Sequence, residues 1–225
     1  MGTGMSHYFV TATGTDIGKT FLTCGLIRAF RRAGARAAAI KPLVTGFDAA
    51  RADESDSALL LAAMDQPASL RTLAAISPWR FTAPLSPDMA AAREGRAVSL
   101  DALTTYCRAA MEANRGPLFI EGIGGVMVPL AARATVRDWI AALDLPVLLV
   151  AGSYLGTLSH TLTAIEALHA KHIGIGALIL NESENATVPV EETIESIRRY
   201  FPDIITGAIG RNATPAMFDA IARLI

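Results

Sequence analysis

Apolar residues in this chain fall into short continuous runs. Between the runs they return at intervals of three and four. Short runs bounded by glycine, proline and small polar residues read as strands buried on both faces, and the wider spacing reads as helices with one packed side. Strands are expected at residues 8–10, 35–40, 117–120, 146–151, 173–180 and 204–209. The first helix starts near Gly18, carries Leu22, Leu26, Ile27 and Phe30, and stops at Gly34. Ser55 can cap a second with Leu59, Leu60, Ala63 and Met64. A short helix follows Ser86-Pro87-Asp88 to Glu94, where Gly95 ends it. Ser99 opens a helix at 100–114, and Thr135 one with Val136, Trp139, Ile140 and Leu143. Further helices are expected at 158–170, 191–200 and 215–224, and a proline-rich loop at 78–87. Strands alternating with helices imply an α/β fold with a mostly parallel central sheet and helices on both faces. Residues 1–225 read as one domain without internal repeats, and 1–4 as a cloning remnant before a start at Met5. Met1-Gly2-Thr3-Gly4-Met5-Ser6 also matches a myristoylation pattern, the weaker reading.

Charge narrows the partners. Twenty basic and 21 acidic residues, for a net charge of −1, argue against a nucleic-acid partner and against a polybasic membrane anchor. No secretory signal and no apolar run of membrane-spanning length stands out. Cys24 and Cys107 lie apart in expected helices, so buried free thiols in a reducing cytoplasm are expected rather than a disulfide or metal site.

The chemistry concentrates where the first strand runs into the first helix, at Thr13-Gly14-Thr15-Asp16-Ile17-Gly18-Lys19-Thr20. Strand, small-residue loop, Lys-Thr and helix make a phosphate cradle. Backbone N–H groups at the helix start face the anion, the lysine adds mobile charge, and the threonine hydroxyl can ligate Mg²⁺. The spacing departs from G-x-x-x-x-G-K-[ST], because Thr13 stands five before Gly18. The plain alternative is a tight turn with a solvated lysine. Lys41 ends the second strand, where open parallel sheets bind ligands, and Pro42 blocks helical continuation; alone, it reads equally as a site residue or an exposed charge. Asp53, Glu54 and Asp56 read by themselves as a solvated face or as dipole partners of the next helix. Glu121 ends a central strand before Gly122-Ile123-Gly124-Gly125, placed to hold Mg²⁺ directly or through water. His160 has no metal-ligand company and reads as a structural hydrogen-bonder; Asn181, at a strand end, suits an adenine edge or a turn.

These segments, together with Lys41-Pro42-Leu43-Val44-Thr45-Gly46, Ser55-Asp56-Ser57-Ala58, Ala83-Pro84-Leu85-Ser86-Pro87 and Leu155-Gly156-Thr157-Leu158-Ser159-His160, resemble the dethiobiotin synthetase family. That family belongs to the deviant P-loop group that also holds MinD/ParA-like ATPases. The resemblance covers nearly the whole chain, and the order of the motifs is its specific feature. Three positions depart from the family pattern: Ala12 stands where glycine is usual, Asp16 where Glu or Gly is, and Ile123 where Ala is.

The resemblance implies ATP-dependent joining of CO₂ or bicarbonate to 7,8-diaminononanoate, with ring closure to dethiobiotin, in a cytoplasmic homodimer. ATP would lie on Thr13, Gly14, Thr15, Asp16, Ile17, Gly18, Lys19 and Thr20, with adenine at Asn181. Mg²⁺ would be held by Thr20, Asp56 and Glu121. Lys41, Lys19 and Thr15 would act in catalysis, and Lys41, Thr45 and Gly124 would border the substrate. Gly156, Thr157, Leu158 and Ser159 would receive the substrate carboxylate from the neighbouring subunit. Two rivals are weighed, a MinD/ParA-like switch ATPase and a non-catalytic nucleotide-binding paralogue. The first lacks here the additional early lysine of such loops, and retention of Lys19, Lys41, Thr20, Asp56 and Glu121 argues against the second.

Overall fold

In a computed structural model of the protein, which describes residues 7–184, 186 and 188–225, the six anticipated runs form one sheet, parallel throughout. Its strands are β1 (His7–Ala12), β2 (Ala38–Ile40), β5 (Leu118–Glu121), β8 (Val147–Gly152), β9 (Ile175–Asn181) and β10 (Thr206–Ile209), in the order β10-β9-β8-β1-β5-β2. The readings of residues 1–4 and of the myristoylation pattern lie outside the described residues.

Helices surround the sheet: α1 (Lys19–Arg32), α2 (Asp56–Ala63), α3 (Leu70–Ile76), α4 (Pro87–Arg93), α5 (Leu100–Ala113), α6 (Val136–Leu143), α7 (Thr157–His169), α8 (Val190–Arg198) and α9 (Pro215–Ala222). α1 packs on α2 and α9, α5 on α6, and α7 on α8. All of β5 and β8 is buried, as expected for strands covered on both faces. Phe9 of β1 meets Trp139 of α6 edge-on, with ring centroids 4.9 Å apart and both side chains inaccessible to solvent. Such edge contacts add to the burial of two large rings. Cys24 and Cys107 are free and buried, and burial pushes both thiols up to about 12. Among the described residues no helix is long and apolar enough to cross a membrane.

Three local expectations are corrected. β2 begins at Ala38 rather than 35. Its ladder with β5 starts where Ala38 N–H donates to Pro117 C=O, and Pro117 has no N–H with which to extend the ladder back. The expected loop at 78–87 contains β4 (Trp79–Phe81), which pairs in parallel with β3 (Leu43–Thr45). Runs of three residues are too short to show a period. α3 and the small antiparallel pair β6 (Pro129–Ala131) and β7 (Ala134–Thr135) were also unanticipated. α3 is closed at its start by a capping box between Ser69 and Thr72, a signal legible in principle.

The topology places the site. From β1 the chain crosses to β2 at one edge and returns to β5 beside β1; later strands build outward on the other side from β8. Strand order therefore reverses at β1, and a crevice opens beyond the carboxyl ends of β1 and its neighbours. Trp139→Ala, which removes the largest side chain joining α6 to β1, should lower unfolding free energy by about 3–5 kcal/mol in urea denaturation. A loss under about 1 kcal/mol would show that this contact does not hold the helix to the sheet.

Candidate functional site

The phosphate loop is built from backbone constraints. β1 ends at Ala12, and Thr13 N–H donates to Val150 C=O of β8 at 2.9 Å. Asp16 (φ 56°) and Gly18 (φ 98°) then turn the chain through left-handed conformations into α1. Ala12 lies in extended strand with its methyl buried, so the family's usual glycine is not needed there. Gly18 caps α1 without any side-chain hydrogen bond. No side chain thus competes for the N–H groups of the first turn, where an anion is favoured. A Cβ at Gly18 would lie 2.2 Å from Asn181 Nδ2, which itself donates to Ile17 C=O at 3.1 Å. The tip of β9 thereby props the loop, and only glycine fits against it. Lys19 is buried and its ammonium donates back to Gly14 C=O at 3.2 Å. Burial, helped by the nearby Lys41 charge, pushes the Lys19 ammonium down to about 8.

Adjacent strands supply the second half. Ile40 of β2 pairs with Ile120 of β5, so Lys41, just past β2, stands beside Glu121, the last residue of β5. Lys41 Nζ donates to Glu121 Oε1 at 2.8 Å and to Asp56 Oδ2. Asp56 is the first residue of α2, whose cap is the Ser55 hydroxyl accepting from Ala58 N–H. Thr20 Oγ1 donates to the same Glu121 oxygen at 2.6 Å and lies within reach of Asp56. Burial alone would lower the Lys41 pKa, but Glu121 and Asp56 outweigh it and hold the ammonium above the usual lysine range. Asp56 moves the other way: burial would raise it, and the Lys41 charge and hydrogen bond hold it below the usual carboxylate range. Glu121 is fully buried, and its Oε2 has no hydrogen-bond partner.

Thr15, Lys19, Thr20, Lys41, Thr45, Asp56 and Gly124 all face one cleft of ≈ 400 Å³, with Asp16 and Gly18 at its rim. Glu121 does not line it and is joined to it through Thr20 and Lys41. Lys41 is not an exposed charge, and Asp56 is not simply a helix-dipole partner. Gly156, Thr157, Leu158 and Ser159 are not brought to this cleft; they line a separate cavity of ≈ 520 Å³ beside α8. Thr13 and Gly14 border a third groove with Met127 and His160. His160 Nδ1 is bonded to the Tyr154 hydroxyl at 2.9 Å, in keeping with a structural role. Asn181 lies behind the loop and Ile17 is joined to it through its carbonyl. Phe21 also faces the cleft, half-exposed, and was not anticipated. Its place between Thr20 and the core residue Leu22 puts it off the buried phase of α1, which is the signal that was available.

A hard divalent cation fits this donor set. Among the described residues there is no cluster of three His, Cys, Asp or Glu. Two carboxylates and a hydroxyl are nevertheless the sparse oxygen set that Mg²⁺ uses when phosphates and water complete its shell. The unpartnered Glu121 Oε2 is a buried acceptor that such a cation could satisfy.

Sheet order, loop and helix define a nucleotide-binding α/β protein of the P-loop NTPase kind. The AAA domain family matches residues 6–214. The hydrogenase maturation factor HypB from Archaeoglobus fulgidus shares the fold at 13% identity and a TM-score of 0.55, covering 96% of this chain and 89% of that one. MinD from Aquifex aeolicus does so at 12% identity and 0.51, covering 96% and 87%. The ATP-dependent dethiobiotin synthetase BioD of Acidiphilium cryptum is 50% identical over 197 residues, 87% of this chain and 88% of its own length. That of Phenylobacterium zucineum is 43% identical over 223 residues, 98% and 95%. The chain belongs to the dethiobiotin synthetase family.

Gly18→Ala should cost about 1–2 kcal/mol from its left-handed backbone, plus the displaced Asn181 amide. Combined with Asn181→Ala, it should cost about 1 kcal/mol less than the two single losses added, since the clash is then gone. Strict additivity in thermal or urea unfolding would refute the prop.

Proposed function

We propose that this protein converts 7,8-diaminononanoate, CO₂ and ATP into dethiobiotin, ADP and phosphate, as an enzyme of biotin synthesis. The observation that carries the reading is the convergence of two buried lysines, one opening α1 and one just past β2, on one cleft lined by Thr20 and Asp56, with Glu121 bonded to Thr20 and Lys41. One amine of the substrate captures CO₂ as a carbamate. A carbamate oxygen attacks the γ-phosphorus, ADP leaves, and a carbamic-phosphoric anhydride results. The second amine attacks the activated carbon, phosphate departs, and the cyclic urea closes.

Each chain group has a task in that sequence. Carbamate and triphosphate are like-charged, and Lys19 and Lys41 offset their repulsion. The Lys19 ammonium serves the nucleotide phosphates, while Lys41 serves the substrate and the transferring group, with Thr15 and Thr45 orienting them. Gly124 lets the backbone border the substrate, and Asn181 contacts adenine. Mg²⁺, held by Thr20, Asp56 and Glu121, would supply charge neutralisation at the phosphates. Positioning both amines near one carbon makes ring closure intramolecular. No covalent enzyme nucleophile is needed.

The segment Gly156 to Ser159 lies on its own cavity, which supports a carboxylate receptor offered to a neighbouring copy in a homodimer. We read residues 1–225 as one cytoplasmic domain. A MinD/ParA-like switch has only fold-level likeness behind it.

ATP consumption should depend strictly on added diamine and bicarbonate; turnover without the diamine would defeat the assignment. Lys41→Gln should lower kcat by about 10²-fold or more and leave ATP binding within about threefold of wild type. Lys19→Gln should damage both. A Lys41→Gln enzyme with intact turnover and weakened ATP binding would reverse the roles.

A further inference from the structure

The geometry points to a second duty for Lys41, resting on the reading just given. We propose that its ammonium is an internal stand-in cation, which closes the Asp56–Glu121 oxygens to a free divalent ion and yields them only to metal arriving with the triphosphate. Lys41 Nζ reaches both carboxylates at once, taking Glu121 Oε1 at 2.8 Å. These are the two carboxylates of the metal set, and of their buried oxygens only Glu121 Oε2 is left without a partner. One of them belongs to a side chain with no solvent exposure, so water cannot neutralise it in place of the ammonium.

Charge decides who can displace the lysine. Lys19 and Lys41 face Asp56 and Glu121 in this pocket, with Asp16 the one further carboxylate beside Lys19. A free divalent ion adds two positive charges beside two buried ammonium groups, and Asp16 offsets only one of them. A metal triphosphate brings its own excess of negative charge, so both lysines gain a partner when the metal takes the carboxylates. Lys41 can then leave without backbone movement, because its charge sits on a flexible four-carbon stem. The cleft continues to Thr45, Thr15 and Gly124, the side assigned to the carbamate. Metal loading and delivery of the catalytic ammonium to the substrate become one event.

The test is Mn²⁺ binding to nucleotide-free protein, followed by the electron paramagnetic resonance signal of free Mn²⁺. Lys41→Met, which keeps the length of the side chain and removes its charge, should bind Mn²⁺ at least about tenfold more tightly than wild type. Adding Asp56→Asn should abolish that gain. Mn²⁺ should also raise the melting temperature of Lys41→Met more than that of wild type, because it re-pairs the stranded carboxylates. If Lys41→Met does not fold, Lys41→Gln carries the same measurement. Binding no tighter than wild type, or a gain that survives Asp56→Asn, would overturn the proposal. Product formation by wild-type enzyme from diamine, bicarbonate and ATP separately decides the reaction, so the two failures are distinguishable.

Discussion

One ammonium group held between two carboxylates governs the working end of this molecule. Lys41 comes from the tip of β2, Glu121 from the tip of β5 and Asp56 from the start of α2, and the ammonium pairs with both carboxylates at once. An unpaired Glu121, fully buried, would bear an uncompensated desolvation cost. The sheet register makes the pairing possible, because Ile40 and Ile120 are direct neighbours and the next residues, Lys41 and Glu121, stand side by side at the strand tips. Packing therefore places the charges: Leu60 and Leu61 seat α2 in the core, and its first residue then meets Lys41.

The phosphate loop shows the same interdependence on its other side. Its turn needs two left-handed residues, and the second of them sits against a side chain from β9 more than 160 residues away. A loop held from both β8 and β9 keeps its N–H groups aimed before any ligand arrives. That pre-organisation suits phosphoryl transfer, which asks chiefly for position and charge. Family membership and the geometry agree here by separate routes: relatives name the reaction they perform, and the cleft presents cations where such a reaction gathers negative charge.

Long periodic segments were readable without coordinates. The helices near 100–114, 136–143 and 215–224 and the buried strands at 146–151 and 173–180 lie within a few residues of their expected places, because many side chains vote for one period. The pair β3–β4 and the hairpin β6–β7 escaped, since two or three residues cannot show alternation and their partners lie far off in the chain. Ala12 illustrates the opposite case. As a departure from the family pattern it raised a question about the loop, and its place in extended strand removes the question.

Local chemistry alone thus determined that the chain has a phosphate loop, a basic strand tip, an acidic strand tip and an α/β alternation, because each is written in consecutive residues. Tertiary structure alone decided that Lys41 is buried and paired rather than free in water, and that the half-exposed Asp56 is paired with it. It also decided that Gly156 to Ser159 sit apart from the phosphate cleft within one chain. The reason is physical: a charge takes its meaning from what surrounds it, and those neighbours come from segments that only the sheet brings together.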